Sequence, residues 1–327
     1  MPANLTPQYK AAEQRFREAK TVPEKIEALQ AMLAVIPKHK GTDHLQGDLK
    51  RRLAKLRDEA ERQAKRGGFS ISVPREGAGQ VVLVGPPNAG KSSLLARLTR
   101  ARPEIGDYPF TTTRPVAGML EVRNVQIQLV ELPALSEEFM EPWVPGLARP
   151  ADLVLLVADL ADEKAAAALE AVERILDRSK VSLARRLLAE APEIGRMVKR
   201  TILAANKADV PGAAARKEEL QVLFGDRLPV LPVSAHTGLN LLALGERIYD
   251  ALEIIRAFSK PPGKPPSLQT PIVLPRGATV LEFAGTIHKD FAQNLKFARI
   301  WGGAKFEGQK VQRDYIVQDG DVIELHV

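Results

Sequence analysis

Gly85-Pro86-Pro87-Asn88-Ala89-Gly90-Lys91-Ser92-Ser93 is the stretch on which the fold turns. It follows the apolar run Val81-Val82-Leu83-Val84 and leads into an apolar-periodic stretch over 92–100. A short buried strand, a glycine loop and a helix in that order match the phosphate-binding pattern Gly-x4-Gly-Lys-Ser/Thr. The physical reason is that the loop amides and the helix amino terminus turn their positive ends toward a phosphate. Asn88, Ala89, Gly90 and Ser93 fill out this cradle, Lys91 reaches the outer phosphates, and the Ser92 hydroxyl ligates Mg²⁺.

Further strands are predicted at 125–130, 153–158, 201–205 and 228–233, with helices over 92–100, 162–178 and 181–200 and a closing helix at about 240–258. Strands alternating with helices specify an α/β fold with a mostly parallel, doubly wound sheet. Asn206-Lys207-Ala208-Asp209 follows the fourth strand. Its aspartate accepts two hydrogen bonds from the N1–H and N2 amine of guanine, which adenine does not supply, and a carboxylate left unpaired rejects the wrong base. Ser234-Ala235 follows the fifth strand, where a tight turn would support the guanine O6. GTP or GDP is therefore the expected ligand.

Residues 1–69 are expected to be a basic helical domain, with one apolar stripe on Leu29, Met32, Leu33 and Ile36 and a second on Leu45, Leu49, Leu53 and Leu56. A breaker at 37–42 makes them a helical hairpin. Residues 1–66 carry 15 Lys/Arg against 9 Asp/Glu, nearly all of the chain's net +7. The densest run is Lys50-Arg51-Arg52-Leu53-Ala54-Lys55-Leu56-Arg57. It is either a surface that neutralises RNA phosphates or a solvated helix face laced with Asp58, Glu59 and Glu61. The nucleotide domain is expected at 78–258, a stiff proline-rich linker at 259–270, and a small α+β module at 271–327 with a helix over 279–291.

Zero cysteines exclude disulfides, thiol catalysis and cysteine-held metals, and the 5 histidines include no His-x3-His pair. The apolar runs are strand-length, so no membrane partner is expected. The first ten residues have no apolar core behind a basic start, so the cytoplasm is the expected location.

Gly85 to Ser92, Tyr108-Pro109-Phe110-Thr111-Thr112, Glu131-Leu132-Pro133, Asn206 to Asp209 and Ser234-Ala235, in that order, resemble an Obg-type translation-factor GTPase. The tail, with Gly277-Ala278-Thr279-Val280, Ile287-His288-Lys289-Asp290, Ala298-Arg299-Ile300-Trp301-Gly302 and Asp319-Gly320-Asp321-Val322-Ile323, resembles a TGS domain, a ubiquitin-like β-grasp module. Lys38-His39-Lys40-Gly41-Thr42 and the leucine-basic stretch 45–57 resemble the helical start of the DRG proteins, whose order is helices, G domain, TGS. The resemblance covers nearly the whole chain but lacks the small domain that DRG proteins insert in the G domain, which makes this a reduced member. It implies that Thr111 and Thr112 belong to the first switch, with Thr112 a second protein ligand of Mg²⁺ and sensor of the γ-phosphate. It also implies docking on a ribosome or structured RNA through the basic helices and the TGS module, or on a protein partner.

The second switch departs from that pattern. Where the family has Asp-x-Pro-Gly, this chain has Glu131-Leu132-Pro133-Ala134. The aspartate holds Mg²⁺ through a water, so the longer glutamate requires the shell to shift or the backbone to retreat. Alanine keeps the N–H offered to the γ-phosphate but loses freedom at positive φ. Leu135 stands where Ras-like proteins place the glutamine that orients water. Resembling GTPases also lack it, and some use K⁺ held partly by an asparagine that Asn88 matches. Asn88 is equally well suited to the turn itself. Glu137, Glu138 and Arg114 flank the switches with no role assigned. Trp301 and Phe283 are expected in the core of the small module, and His288 in a packing or surface role. Two functions stay open: a slow, Mg²⁺-dependent GTPase acting as a ribosome- or RNA-associated switch, with Lys91, Thr112 and Asn88 as its catalytic set, or a nucleotide-holding adaptor that hydrolyses little because of Glu131 and Ala134.

Overall fold

A computed structural model of the chain describes residues 7–19, 22–36, 43–65, 73–99, 115–137, 143–186, 194–303 and 306–327. At the amino end three helices, α1 (Pro7–Glu18), α2 (Val22–Val35) and α3 (Asp43–Lys65), stand where a hairpin of two was expected. Pro23 falls in the first turn of α2, where its missing N–H costs nothing, so α1 and α2 are separate helices rather than one. Tyr9, Ala12, Ile26, Leu29, Met32, Leu49 and Leu53 close a core of their own among these helices.

The central sheet is built from β1 (Gln80–Val84), β2 (Val116–Val122), β3 (Val125–Glu131), β4 (Leu153–Asp159), β5 (Val181–Ala184), β6 (Met197–Asn206) and β7 (Val230–Pro232). Its order is β2-β3-β1-β4-β6-β5, with β7 also along β6. Every pairing is parallel except β2 with β3. Helices α4 (Lys91–Leu98), α5 (Val144–Ala148), α6 (Ala165–Arg178), α7 (Ala213–Phe224) and α8 (Leu241–Leu252) cover it. Alternation along β1 divides the core between the two faces. Val82 and Val84 join α5, α6 and α7 on one face, and Val81 and Leu83 join α4 and α8 on the other.

Two expectations change here. In its described residues the helix expected over 181–200 is β5 and the start of β6, joined in parallel from Val181 opposite Met197 to Ala184 opposite Arg200, while 187–193 lie outside the described residues. The closing helix stops at Leu252, because Glu253 takes φ 51 and Ile254 to Ser259 turn outward as β8.

That strand belongs to the second sheet. Strands β8 (Ile254–Ser259), β9 (Ile272–Pro275), β10 (Phe297–Trp301), β11 (Gln309–Val311) and β12 (Asp321–His326) lie in the order β11-β10-β12-β8-β9. The proline-rich stretch expected to be a linker between modules is instead the loop between the antiparallel pair β8 and β9. Helices α9 (Val280–Ile287) and α10 (Lys289–Asn294) replace one expected helix, divided at His288, whose extended backbone (φ −164) interrupts the helical turn. Thr279 and Glu282 form a capping box at the start of α9, and the His288 ring accepts from the Asp290 N–H at the start of α10. Phe283 is fully buried beneath the sheet, while Trp301 is half-buried with the Lys260 ammonium 4.7 Å over its ring.

Candidate functional site

The loop 85–90 leaves β1 at the carboxyl end of the sheet and delivers the chain into α4. Gly90 has φ +84, and a Cβ there would meet the Asn206 side-chain nitrogen at 2.3 Å. Asn88 is exposed at φ 60, a left-handed conformation that asparagine tolerates better than most residues. The turn role foreseen for it is thus met.

Lys91 is 5% exposed and its ammonium donates to the carbonyls of Gly85 at 3.2 Å and Pro86 at 2.9 Å. Burial pulls its pKa down to about 8, against the opposing charge of Glu131. Ser92, beside it, donates its hydroxyl to Oε1 of Glu131 at 2.5 Å. Glu131 ends β3, and the segment after it runs along the loop. The Leu132 N–H donates to the Leu83 carbonyl and the Leu135 N–H to the Gly85 carbonyl, each at 3.1 Å. Pro133 and Ala134 lie between those two anchors, and Leu132 and Leu135 are buried among Val144, Leu147 and Leu160.

The base end of the site is organised by Asn206. Its Nδ2 donates to the Ala89 carbonyl at 2.9 Å and its Oδ1 accepts from the Ala235 N–H at 3.0 Å, so one buried side chain ties the phosphate loop to the Ser234-Ala235 turn. Lys207, at φ 62, pairs with Asp159 at 2.6 Å. Asp209 is exposed at the rim, and the hydroxyl of buried Ser234 holds its carboxylate below the ordinary aspartate pKa, with a smaller contribution from His236. An ionised acceptor therefore stands at the mouth of a cleft of about 520 Å³. That volume falls in the usual small-ligand range of roughly 300–1,000 Å³. Of the residues expected at the site, Gly90, Ser93, Asn206, Lys207, Asp209 and Ala235 line it.

Arg97, Val210 and His236 also line the cleft, and the sequence reading had not included them. Arg97 was accessible to periodicity, since it follows Ser93 by four residues on the same helix face. Asp159 was accessible from strand order, since it ends β4 opposite Asn206 in register. Glu137 faces elsewhere, toward Arg174 and Arg178 of α6, at 3.5 Å from each. Tyr108 to Thr112, with Thr111 and Thr112, and also Arg114 and Glu138, lie outside the described residues.

The Ser92 hydroxyl and Glu131 carboxylate are adjacent hard oxygen donors, a chemistry that suits Mg²⁺. Among the described residues no group of three or more His, Cys, Asp or Glu is placed to hold a metal alone. The donor set thus fits an ion that completes its shell with phosphate oxygens and water, as Mg²⁺ does at nucleotide sites.

A glycine-rich loop between strand and helix, with the Asn-Lys-x-Asp segment joined to it across the carboxyl ends of a parallel sheet, is the arrangement of a P-loop guanine-nucleotide-binding protein. Comparison with known proteins agrees. Residues 80–207 match the family described as 50S ribosome-binding GTPase, and residues 255–327 match the TGS domain, which includes β8. A GTP-binding protein of uncharacterised role from Methanocaldococcus jannaschii is 30% identical over 93% of this chain and 92% of its own. That alignment spans 365 residues, more than this chain has, so the relative carries segments with no counterpart here. Developmentally-regulated GTP-binding protein 1 of Xenopus laevis is 29% identical over 92% of this chain and 98% of its own. A solved GTP-binding protein from Pyrococcus horikoshii shares the fold, with a TM-score of 0.53 at 16% identity, over 76% of this chain and 99% of that one. The chain belongs to the developmentally regulated GTP-binding proteins, GTPases with a carboxy-terminal TGS domain.

Proposed function

We propose that this protein is a slow, Mg²⁺-dependent GTP hydrolase that works in the cytoplasm as a switch on the ribosome or a structured RNA. The observation that carries the nucleotide half is the Asn206 bracket, which sets the phosphate loop and Asp209 around one cleft. Asp209 would accept from the guanine N1–H and N2 amine, the Ala235 turn would meet O6, and the Lys207 stem would flank the base. The amides of 88–92 and the Lys91 ammonium would hold the β- and γ-phosphates, with the N–H of Ala134 reaching the γ-phosphate. Ser92 and Thr112 would hold Mg²⁺, and Thr111 would close the first switch. Mg²⁺, when bound, would neutralise charge developing between the β- and γ-phosphates.

Slow turnover follows from Leu135, which is buried in the core and so positions no water. K⁺ held partly by Asn88 would supply part of the missing stabilisation. The competing reading is a nucleotide-holding adaptor, and the bond between Ser92 and Glu131 favours it insofar as it draws the switch carboxylate onto the metal-binding hydroxyl. GTP hydrolysis with Mg²⁺ in KCl and in NaCl at equal ionic strength, beside Lys91→Ala, separates the two. Turnover that needs Lys91 and rises in K⁺ supports the hydrolase. Tight guanine-nucleotide binding without turnover in either salt, relieved by combining Glu131→Asp with Ala134→Gly, supports the adaptor.

Docking is assigned to α3 and the TGS module. Lys50, Arg51, Arg52 and Lys55 are exposed along α3 while Leu49 and Leu53 are buried on its other side, as an electrostatic surface requires. Changing the four cations to glutamine in the full chain should lower the salt slope of ribosome or RNA binding by about 0.7–0.9 for each phosphate no longer neutralised. An unchanged slope would move the docking surface to the TGS module or to a protein partner.

A further inference from the structure

We propose that Glu131 ligates the nucleotide's Mg²⁺ directly, replacing the water through which an aspartate at this position would hold the ion. The inference rests on the nucleotide reading above and concerns how this chain accommodates its own glutamate.

The longer side chain has two ways to fit: the backbone retreats by about a methylene, or the carboxylate advances. The backbone does not retreat. β3 is paired without interruption on both sides to its last residue, Glu131, opposite Leu83 of β1 and Val116 of β2. The next residue continues the connection, through the Leu132 N–H on the Leu83 carbonyl. The extra length therefore appears at the carboxylate, which lies in a site only 1% exposed with Oε1 2.5 Å from the Ser92 Oγ.

Two oxygens that are adjacent ligands of Mg²⁺, each about 2.0–2.1 Å from it, lie about 2.9 Å from one another. The Ser92 and Glu131 oxygens need to part by only a few tenths of an ångström to become such a pair. An aspartate on the same backbone stops a methylene short, a gap that a water would fill. Lys91 is directed to the loop carbonyls of Gly85 and Pro86, while the carboxylate is bonded to Ser92, the residue expected to hold the ion. Direct ligation leaves the bound ion with one water fewer than the aspartate arrangement and ties metal affinity to the charge of residue 131.

The test uses the full chain and a fluorescent GDP, titrated with Mg²⁺ from an EDTA baseline. Glu131→Gln retains an oxygen for the Ser92 bond but loses the charge. It should raise the Mg²⁺ midpoint at least tenfold, judged by what loss of even indirect metal partners does. In parallel, Mn²⁺ replaces Mg²⁺ in the GDP complex, and line broadening of its electron paramagnetic resonance in ¹⁷O-water counts bound waters. The wild type should show one fewer than Glu131→Asp. A Glu131→Gln midpoint within twofold of wild type, or equal water counts in wild type and Glu131→Asp, overturns direct ligation. Should Glu131→Gln not fold, the water count decides alone. If the wild type binds no GDP at any Mg²⁺ concentration, the nucleotide reading itself fails, and this inference with it.

Discussion

At the scale of single residues the site depends on two that carry opposite burdens. Gly90 is required for its lack of a side chain, since it sits at φ +84 with the Asn206 amide 2.3 Å from where a Cβ would be. Gly90→Ala strains the loop and pushes away the side chain that brackets both halves of the cleft. Guanine-nucleotide binding should then fall by at least about a hundredfold, ~2.7 kcal/mol by isothermal titration. Asp209 is required for its charge. On the proposed reading, Asp209→Asn replaces an acceptor of two charge-assisted hydrogen bonds with an amide that would meet one guanine donor with another. GTP affinity should drop by about two orders of magnitude, while xanthine nucleotide, which carries an oxygen in place of the 2-amino group, should gain. Equal losses for both nucleotides would remove Asp209 from base recognition. These residues were legible in the sequence because backbone geometry and hydrogen-bond chemistry are written into residue type. The bracket made by Asn206 was not, because its partners Ala89 and Ala235 lie 117 and 29 residues away, in the loops that follow other strands.

At the scale of elements, the second switch is where the departures from the family pattern have structural consequences. The segment 131–135 is fixed by two backbone bonds, at Leu132 and Leu135, and by the burial of both leucines. Restoring the glutamine of Ras-like proteins at Leu135 should therefore not raise turnover. Leu135→Gln puts an amide into a cluster lined by Val144, Leu147 and Leu160, and it should cost about 2–4 kcal/mol in urea denaturation. A stable, faster variant would show instead that the segment leaves the core when nucleotide binds. The elements themselves were read well where burial is two-sided, as in β1, β4 and the second half of β6, whose apolar runs have no helical alternative at that length. They were missed at the sheet margins. β2 carries mixed burial, with Ala117 and Glu121 outward, and depends on a two-residue turn at Arg123 and Asn124, both at positive φ. β5 is four residues at an edge, and its leucine, followed closely by Arg185 and Arg186, reads as a helix face until β6 pairs with it.

At the scale of the whole molecule, the two sheets are joined by a polar cluster that no local pattern announces. Tyr249, on α8 under the central sheet, donates its hydroxyl to Asp319 at 2.9 Å, in the turn before β12. Asp319 also accepts from the backbone N–H of Arg256 on β8, at 2.8 Å, and from its guanidinium at 3.0 Å. Arg256 in turn donates to the Arg123 carbonyl at the tip of the β2–β3 hairpin, and the Arg123 guanidinium lies 4.7 Å over the Tyr249 ring. The β2–β3 hairpin is thus bonded to the TGS sheet through β8, the strand that the sequence placed in the wrong module because its pairing with β9 and β12 is entirely non-local. Burial first, and then the Asp319 bond, push the Tyr249 pKa up from 10.0 to about 12. Below pH 10 the phenol keeps its proton in the folded and unfolded chain alike, and the contribution is fully present. Between pH 10 and about 12 the unfolded chain releases that proton while the folded chain holds it, so stability falls through this window. Tyr249→Phe should lose about 1.5–3 kcal/mol at pH 8, the worth of a hydrogen bond to a charged group. It should also flatten the decline that denaturant titrations of the wild type show between pH 10 and 11. A decline of equal slope in both proteins would place the alkaline weakness elsewhere and leave Tyr249 a packing residue at the seam.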